Sequence, residues 1–353
     1  MKNNALKSVL AVILGLMAGA LLMAAMGHNP VQGYSFLLKG SLSSTERIAN
    51  TIATATPLIL TGLSVGFAFR TGLFNIGAPG QMLFGGFAAT AVALTCTSLP
   101  RPVLLLAIIL AGFIAGALCA GIVGFLKAKF NVHEVVGSIM LNWTAYWVVY
   151  YLIPQYFKSD GAETESRQIS SLASLKAEWI TKAFDGSFIN YGIVIAIIAV
   201  IVIWFILDKT TLGYQLKAVG FNKDAAEYAG INVNKNVVLT MMIAGSLAGL
   251  AGVAQYIGNA TCMQIGVMPS QGFDGIAVAL LGNSSPIGVL ISALFFGLLY
   301  AGKGFMTTMT SVPPEIADTI MAIIIYFAAT SMIFDKVLVK FKRKKNLKAK
   351  EEK

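Results

Sequence analysis

Apolar runs of about 20 residues, nearly free of charge, recur along the whole chain. As helix, a run of that length matches the ~30 Å hydrocarbon core of a bilayer. The first is Ser8–Met26, behind Lys2 and Lys7. Further runs lie at 48–69, 81–99, 103–126, 135–153, 190–207 and 237–258, and the last at 315–334. The first run is too long for the core of a cleaved signal, so it reads as an uncleaved span with its N-terminus inside. Of 353 residues, 56% are hydrophobic and 12% charged, where a soluble domain carries about 25% charged residues. The pattern excludes a secreted disulfide scaffold, a coiled coil, a disordered chain and a conventional soluble enzyme. It predicts an all-α integral membrane protein, one transmembrane domain over residues 1–353.

The segment 259–314 decides the topology. Gly266–Leu281 is apolar but short; as helix it reaches only about 24 Å, less than the hydrocarbon core. Gly282-Asn283-Ser284-Ser285-Pro286 then breaks it, and Ile287–Ala301 follows. One crossing here makes nine spans and puts the C-terminus outside; two short crossings, or a re-entrant pair, are the other forms. Counting charge favours two. With ten spans, 18 of the 26 Lys and Arg fall in inside segments and 8 in outside ones. That bias is the one cytoplasmic loops show, so ten helices with both termini cytoplasmic are expected. Nine of the basic residues sit in the tail 336–353. They suit an anionic lipid surface rather than nucleic acid, since no aromatic residues interleave with them. Residues 154–189 form the largest outside loop. Gly pairs four residues apart (Gly15/Gly19, Gly62/Gly66, Gly112/Gly116, Gly245/Gly249) are candidates for close helix crossings.

Catalytic and metal chemistry fails on spacing. Gly297-x-x-x-x-Gly302-Lys303-Gly304 lacks the Ser or Thr of a phosphate loop and follows no strand. His133-Glu134-Val135-Val136-Gly137 lacks a second His, and the other histidine is His28. Cys96, Cys119 and Cys262 have no metal-like spacing and read as packing residues. Acids near spans are few: Asp274 reads as a cap of its short helix, and Glu315 and Asp318 as solvated at the edge of the last span.

Two stretches carry positive information. The inside loop 208–236 holds a short helix over Lys223–Ala229, with Asn222 as cap, Asp224 in its first turn and Gly230 to end it. Ala225, Ala226 and Ala229 give it a small-residue side. So short a helix needs a partner surface, and a groove in a cytoplasmic protein is the simplest. The second stretch, Arg70–Gln81, is too rich in Gly and Pro for plain helix. Irregular backbone near a membrane persists only where protein or water satisfies it. Residues 266–286 have the same character, and such paired interruptions point to a transporter with a path between its halves.

Phe74–Phe87 (FNIGAPGQMLFGGF), Ser138–Trp143 (SIMLNW), Gly213–Val233 (GYQLKAVGFNKDAAEYAGINV) and Phe273–Leu290 (FDGIAVALLGNSSPIGVL) resemble blocks of the permease subunits of bacterial ABC importers. The resemblance runs over about 48–334 and is nearest the nucleoside branch, related to the ribose and branched-chain amino-acid permeases. It implies a ten-helix fold like that of the vitamin B12 importer permease, in a bacterial cell membrane. It also implies that Asn222, Asp224, Ala225, Ala226, Glu227, Ala229 and Gly230 form a coupling helix that receives motion from a cytoplasmic ABC ATPase. ATP and magnesium would be bound by that ATPase, with no cofactor in this chain. The other partners implied are a second, related permease chain (a heterodimer) and an extracytoplasmic substrate-binding lipoprotein. A neutral nucleoside needs amides, hydroxyls and aromatic faces along its path. Asn75, Gln81, Asn142, Trp143, Gln255, Asp274 and Asn283 are the candidates, with Asn50, Thr54 and Thr56 beside them. A simple-sugar permease and an ion-coupled secondary transporter are the alternatives.

Overall fold

The computed structural model describes residues 2–329 apart from 160 and 163. The basic tail 336–353 lies outside the described residues. Among the described residues fourteen helices run in order: α1 (Lys2–Ala25), α2 (Pro30–Leu42), α3 (Thr45–Arg70), α4 (Ala78–Thr95), α5 (Arg101–Phe130), α6 (Glu134–Tyr156), α7 (Glu178–Ala183), α8 (Gly192–Lys209), α9 (Thr211–Phe221), α10 (Lys223–Tyr228), α11 (Val233–Val253), α12 (Ser270–Leu281), α13 (Pro286–Thr310) and α14 (Pro314–Ala329). A π-helical turn, Ala254–Asn259, extends α11. Seven helices among the described residues are long and apolar enough to cross a membrane: α1 from Lys7, α3, α5, α6, α8, α11 with its π turn, and α13. The other three runs read as crossings fall on α4, α12 and α14, which are not among these seven.

The structure corrects the reading of 266–301. Of the two helices there, only α12 is short, with 12 residues. The helix after the break, α13, has 25 residues, because it continues through Lys303 to Thr310. Helices α2 and α9 fall where no apolar run is read.

The chain forms two compact units, Met1–Leu37 with Lys303–Lys353, and Leu38–Gly302. In the first, α1 packs on α14. Side chains of Ile320 and Ile324 fill the places where Gly19 and Gly15 lack a Cβ. Lys303 pairs with Asp318 at 2.9 Å, and Glu315 and Asp318 are exposed, as expected of the edge of a span.

In the second unit α11 is the hub, packed by α5, α4 and α3. Its centre is a glycine crossing. A Cβ on Gly249 would overlap the Gly112 carbonyl, one on Gly116 the Gly245 carbonyl, and one on Gly85 the Gly249 Cα. Two of the four Gly pairs therefore face each other backbone to backbone. With lipid outside, such packing, rather than the hydrophobic effect, holds helices together.

Two apolar clusters mark the two ends of this unit. At one end Ala68, Leu73, Val123, Val237 and Met241 pack together, and Lys127 pairs with Glu134 at 2.9 Å across the α5–α6 connection. At the other, Ala93, Leu104, Ile169, Leu175 and Ile257 pack together. Residues 164–191 fold over this second end. Ser166 N–H donates to Met263 O (2.9 Å), Ile169 N–H to Thr261 O (2.9 Å), and Leu175 N–H to Ile257 O (3.1 Å). Ile257 lies in the last turn of this helix, so its carbonyl has no helical partner and is free to accept that bond.

Candidate functional site

The connection from α3 to α4 is irregular backbone held by three amides. Asn75 and Gln81 form a reciprocal pair: Gln81 Nε2 donates to Asn75 Oδ1 (2.8 Å) and Asn75 Nδ2 to Gln81 Oε1 (2.9 Å). Asn75 Nδ2 also donates to Ser64 Oγ (3.0 Å), and Asn75 Oδ1 accepts from Gly77 N–H (3.2 Å). Asn142 on α6 reaches across to accept from Gly80 N–H and donate to Ile76 O, each at 3.0 Å. All three side chains are buried. Bonded in this way, they satisfy the broken backbone that the sequence flagged.

The second interrupted segment meets the first. A Cβ on Gly272, in the first turn of α12, would overlap Pro79 in the first turn of α4. Thr61 Oγ1 donates to Gln271 O (2.9 Å), pinning the start of α12 to α3. Asp274 does not cap α12, whose cap residue is Pro269. It lies one turn further in, and its Oδ2 accepts from the Tyr300 hydroxyl of α13 at 2.7 Å. Asn283 is exposed. It sits in the α12–α13 turn with left-handed backbone (φ +52°), as does Ser284. Arg70, at the end of α3, donates to the carbonyls of Ser284 (2.9 Å) and Asn283 (3.3 Å).

Gln255 is half-buried in the π turn. Around it lies an amide group the sequence did not single out. Asn190 Nδ2 donates to Asn259 Oδ1 (2.9 Å), and Asn259 Nδ2 to Ala53 O (3.0 Å). Asn50 Oδ1 accepts from Phe188 N–H (3.0 Å). Thr54 and Thr56 hydroxyls donate to carbonyls of their own helix, both at 2.9 Å. Nearby, Cys262 donates to Glu165 at 3.5 Å; burial and then that carboxylate push its thiol above the usual range. Trp143 points away from all this. It is 54% exposed and forms, with Tyr146, Trp147 and Tyr150, an edge-to-face aromatic patch on the outer face of α6.

The loop 208–236 has the local form its caps dictate. Asn222 Oδ1 accepts from Ala225 N–H (3.0 Å), Asp224 lies in the first turn, and Gly230 leaves with φ +80°. One expectation changes. Ala226 is 4% exposed and faces its own protein, while Ala225, Glu227 and Ala229 are exposed. The outward surface belongs to Phe221 and Tyr228, 92% and 95% exposed at the two ends of α10. Their placement was a sequence signal: two aromatics bracketing a capped helix far from any apolar run. Beneath α10, α9 is clamped by Lys217 to Asp208 at 2.7 Å. A Cβ on Gly220 would overlap the Arg70 carbonyl, so the end of α9 lies on the end of α3.

Residues 47–329 match the family described as branched-chain amino acid transport system / permease component. The chain is 40% identical to the guanosine ABC transporter permease protein NupP of Bacillus subtilis, over 97% of this chain and 98% of that one. It is 40% identical to the nucleoside ABC transporter permease protein NupB of Lactococcus lactis, over 96% of each. It is 33% identical to the glucose ABC transporter permease protein TsgB13 of Haloferax volcanii, over 94% and 88%. A second guanosine ABC transporter permease of Bacillus subtilis, NupQ, is 30% identical over 70% of this chain and 78% of its own.

Proposed function

The chain belongs to the branched-chain amino acid transport system / permease component family, and from that premise we propose that it is the permease subunit of an ABC importer, forming half of a translocation path for nucleosides. It is a transport subunit rather than an enzyme. Its partners are a cytoplasmic ATPase that binds ATP and magnesium, a second related permease and an extracytoplasmic binding lipoprotein. The presence of two guanosine ABC transporter permease proteins, NupP and NupQ, in one organism supports a heterodimer. Full-length identity to two permeases named for nucleosides favours that cargo over a sugar. The ten-span topology, both termini cytoplasmic, follows the charge bias.

The mechanism rests on one observation, an unbroken stack of contacts from the exposed loop to both interrupted segments. Helix α10 rests on α9, the Gly220 end of α9 lies on the end of α3, and Arg70 there grips the α12–α13 turn. A push on α10 is thereby delivered to α12, whose other end bears on Pro79 and Thr61. Such contiguous rigid elements carry coupling when both sites bias the same rearrangement. Uptake of labelled guanosine by cells with and without the partner ATPase tests the reading, with nucleosides, ribose, glucose and branched-chain amino acids as competitors. Loss without the ATPase and competition by nucleosides are expected. Uptake that persists without the ATPase and collapses with an uncoupler would support the ion-coupled alternative. Competition by sugars alone would move the cargo to the sugar branch.

A further inference from the structure

Where α11 unwinds into its π turn, a cavity of about 480 Å³ opens between that turn, the 260–269 connection and the first turn of α12. That volume suits one small molecule. Gln255, Thr261, Ser270 and Gln271 give its wall polar groups, and Tyr256 and Met268 apolar ones. Among the described residues, no charged side chain lines it. Glu165 accepts from Cys262 and Gln264 of its wall, so a phosphorylated ligand would meet a carboxylate and no cationic partner among the lining residues, which is costly.

Two carboxamides there are available. Gln271 engages its backbone carbonyl with Thr61, while its side chain makes no hydrogen bond among the described residues. Gln255 has only a long contact, 3.5 Å, from Asn259 to its oxygen, leaving its amide nitrogen unengaged among the described residues. Both are half-buried. By contrast, Asn75, Gln81, Asn142 and Asn259 are committed to structure. A carboxamide presents a donor beside an acceptor, the pattern of a nucleobase edge, and pairs with it bidentately. Tyr256 and Met268 supply apolar surface for the flat face of the base.

We propose that this cavity is the receiving site of the path, and that Gln255 and Gln271 select a neutral nucleoside by the hydrogen-bonding edge of its base. The proposal rests on the nucleoside reading above and adds the residues that read the cargo. The site lies at the end covered by residues 164–191, and α12, the helix the coupling stack reaches, forms one wall.

The test uses the complete complex (both permeases, ATPase and binding protein) in proteoliposomes. Photolabelling with 8-azidoguanosine should attach within residues 255–271, and guanosine but not ribose should suppress it. Gln255→Ala with Gln271→Ala should raise the KM for guanosine uptake about tenfold, the effect of losing one or two hydrogen bonds. An unfolding temperature equal to that of the wild type would show the variant folded. Labelling elsewhere alone, or an unchanged KM in the folded variant, overturns the site while wild-type uptake keeps the nucleoside reading. A wild-type complex that takes up no nucleoside overturns both.

Discussion

At the scale of single residues, the polar side chains in this membrane protein divide by whether the fold has already engaged them. Asn75 satisfies both its donors and both acceptor positions inside the protein. Gln81→Leu should therefore leave Asn75 buried with unmet groups, at a cost of about 1–3 kcal/mol. The purified protein should unfold at lower temperature, and an unchanged unfolding temperature would show the pair to be idle. The sequence revealed that these amides lie where the helix breaks. It could not reveal that they bond to one another, nor that Asn142 arrives to hold the same loop from a helix some 60 positions away. Asp274 shows the same limit. Its place near a helix start suggested a cap, but its partner Tyr300 comes from the next helix.

At the scale of elements, local signals were the legible ones. Asn222 and Gly230 fixed both ends of α10 because caps depend only on nearby backbone. Which side of α10 faces its own protein depends on α9 and α11, and no local pattern encodes that; Ala226 consequently points inward. An Arg at Ala226 would unseat the helix rather than merely block a partner. Phe221→Ala with Tyr228→Ala is the cleaner probe. Exposed aromatics anchor interfaces, so uptake should fall by about tenfold or more while the unfolding temperature holds. Normal uptake by this double variant would remove these residues from coupling. The glycine crossing can be tested by Gly249→Val, which forces a side chain onto the Gly112 carbonyl. Overpacking of this kind costs about 1–3 kcal/mol or more. Less folded protein should be recovered, whereas Gly304→Ala, with nothing within 4 Å of its Cβ, should be neutral or slightly stabilising.

At the scale of the whole molecule, apolar runs made the helices legible, and charge asymmetry is the basis of the direction proposed for them. What remained hidden was how one short helix, α12, is held in place, since the bond that pins its start to α3 joins Thr61 to Gln271, far apart in the chain. Direction can be checked with single cysteines in a cysteine-free background. In intact cells a membrane-impermeant maleimide should label Trp179→Cys, in the cap, and label Tyr228→Cys only after lysis. The reverse would invert the topology. The central claim is that a neighbour's ATP hydrolysis, delivered to the inner loop, drives this chain. Uphill uptake of labelled guanosine by reconstituted proteoliposomes tests it most directly. Accumulation should require both the partner ATPase and ATP on the side of α10. Accumulation by this chain alone, or driven by an ion gradient without ATP, would contradict it.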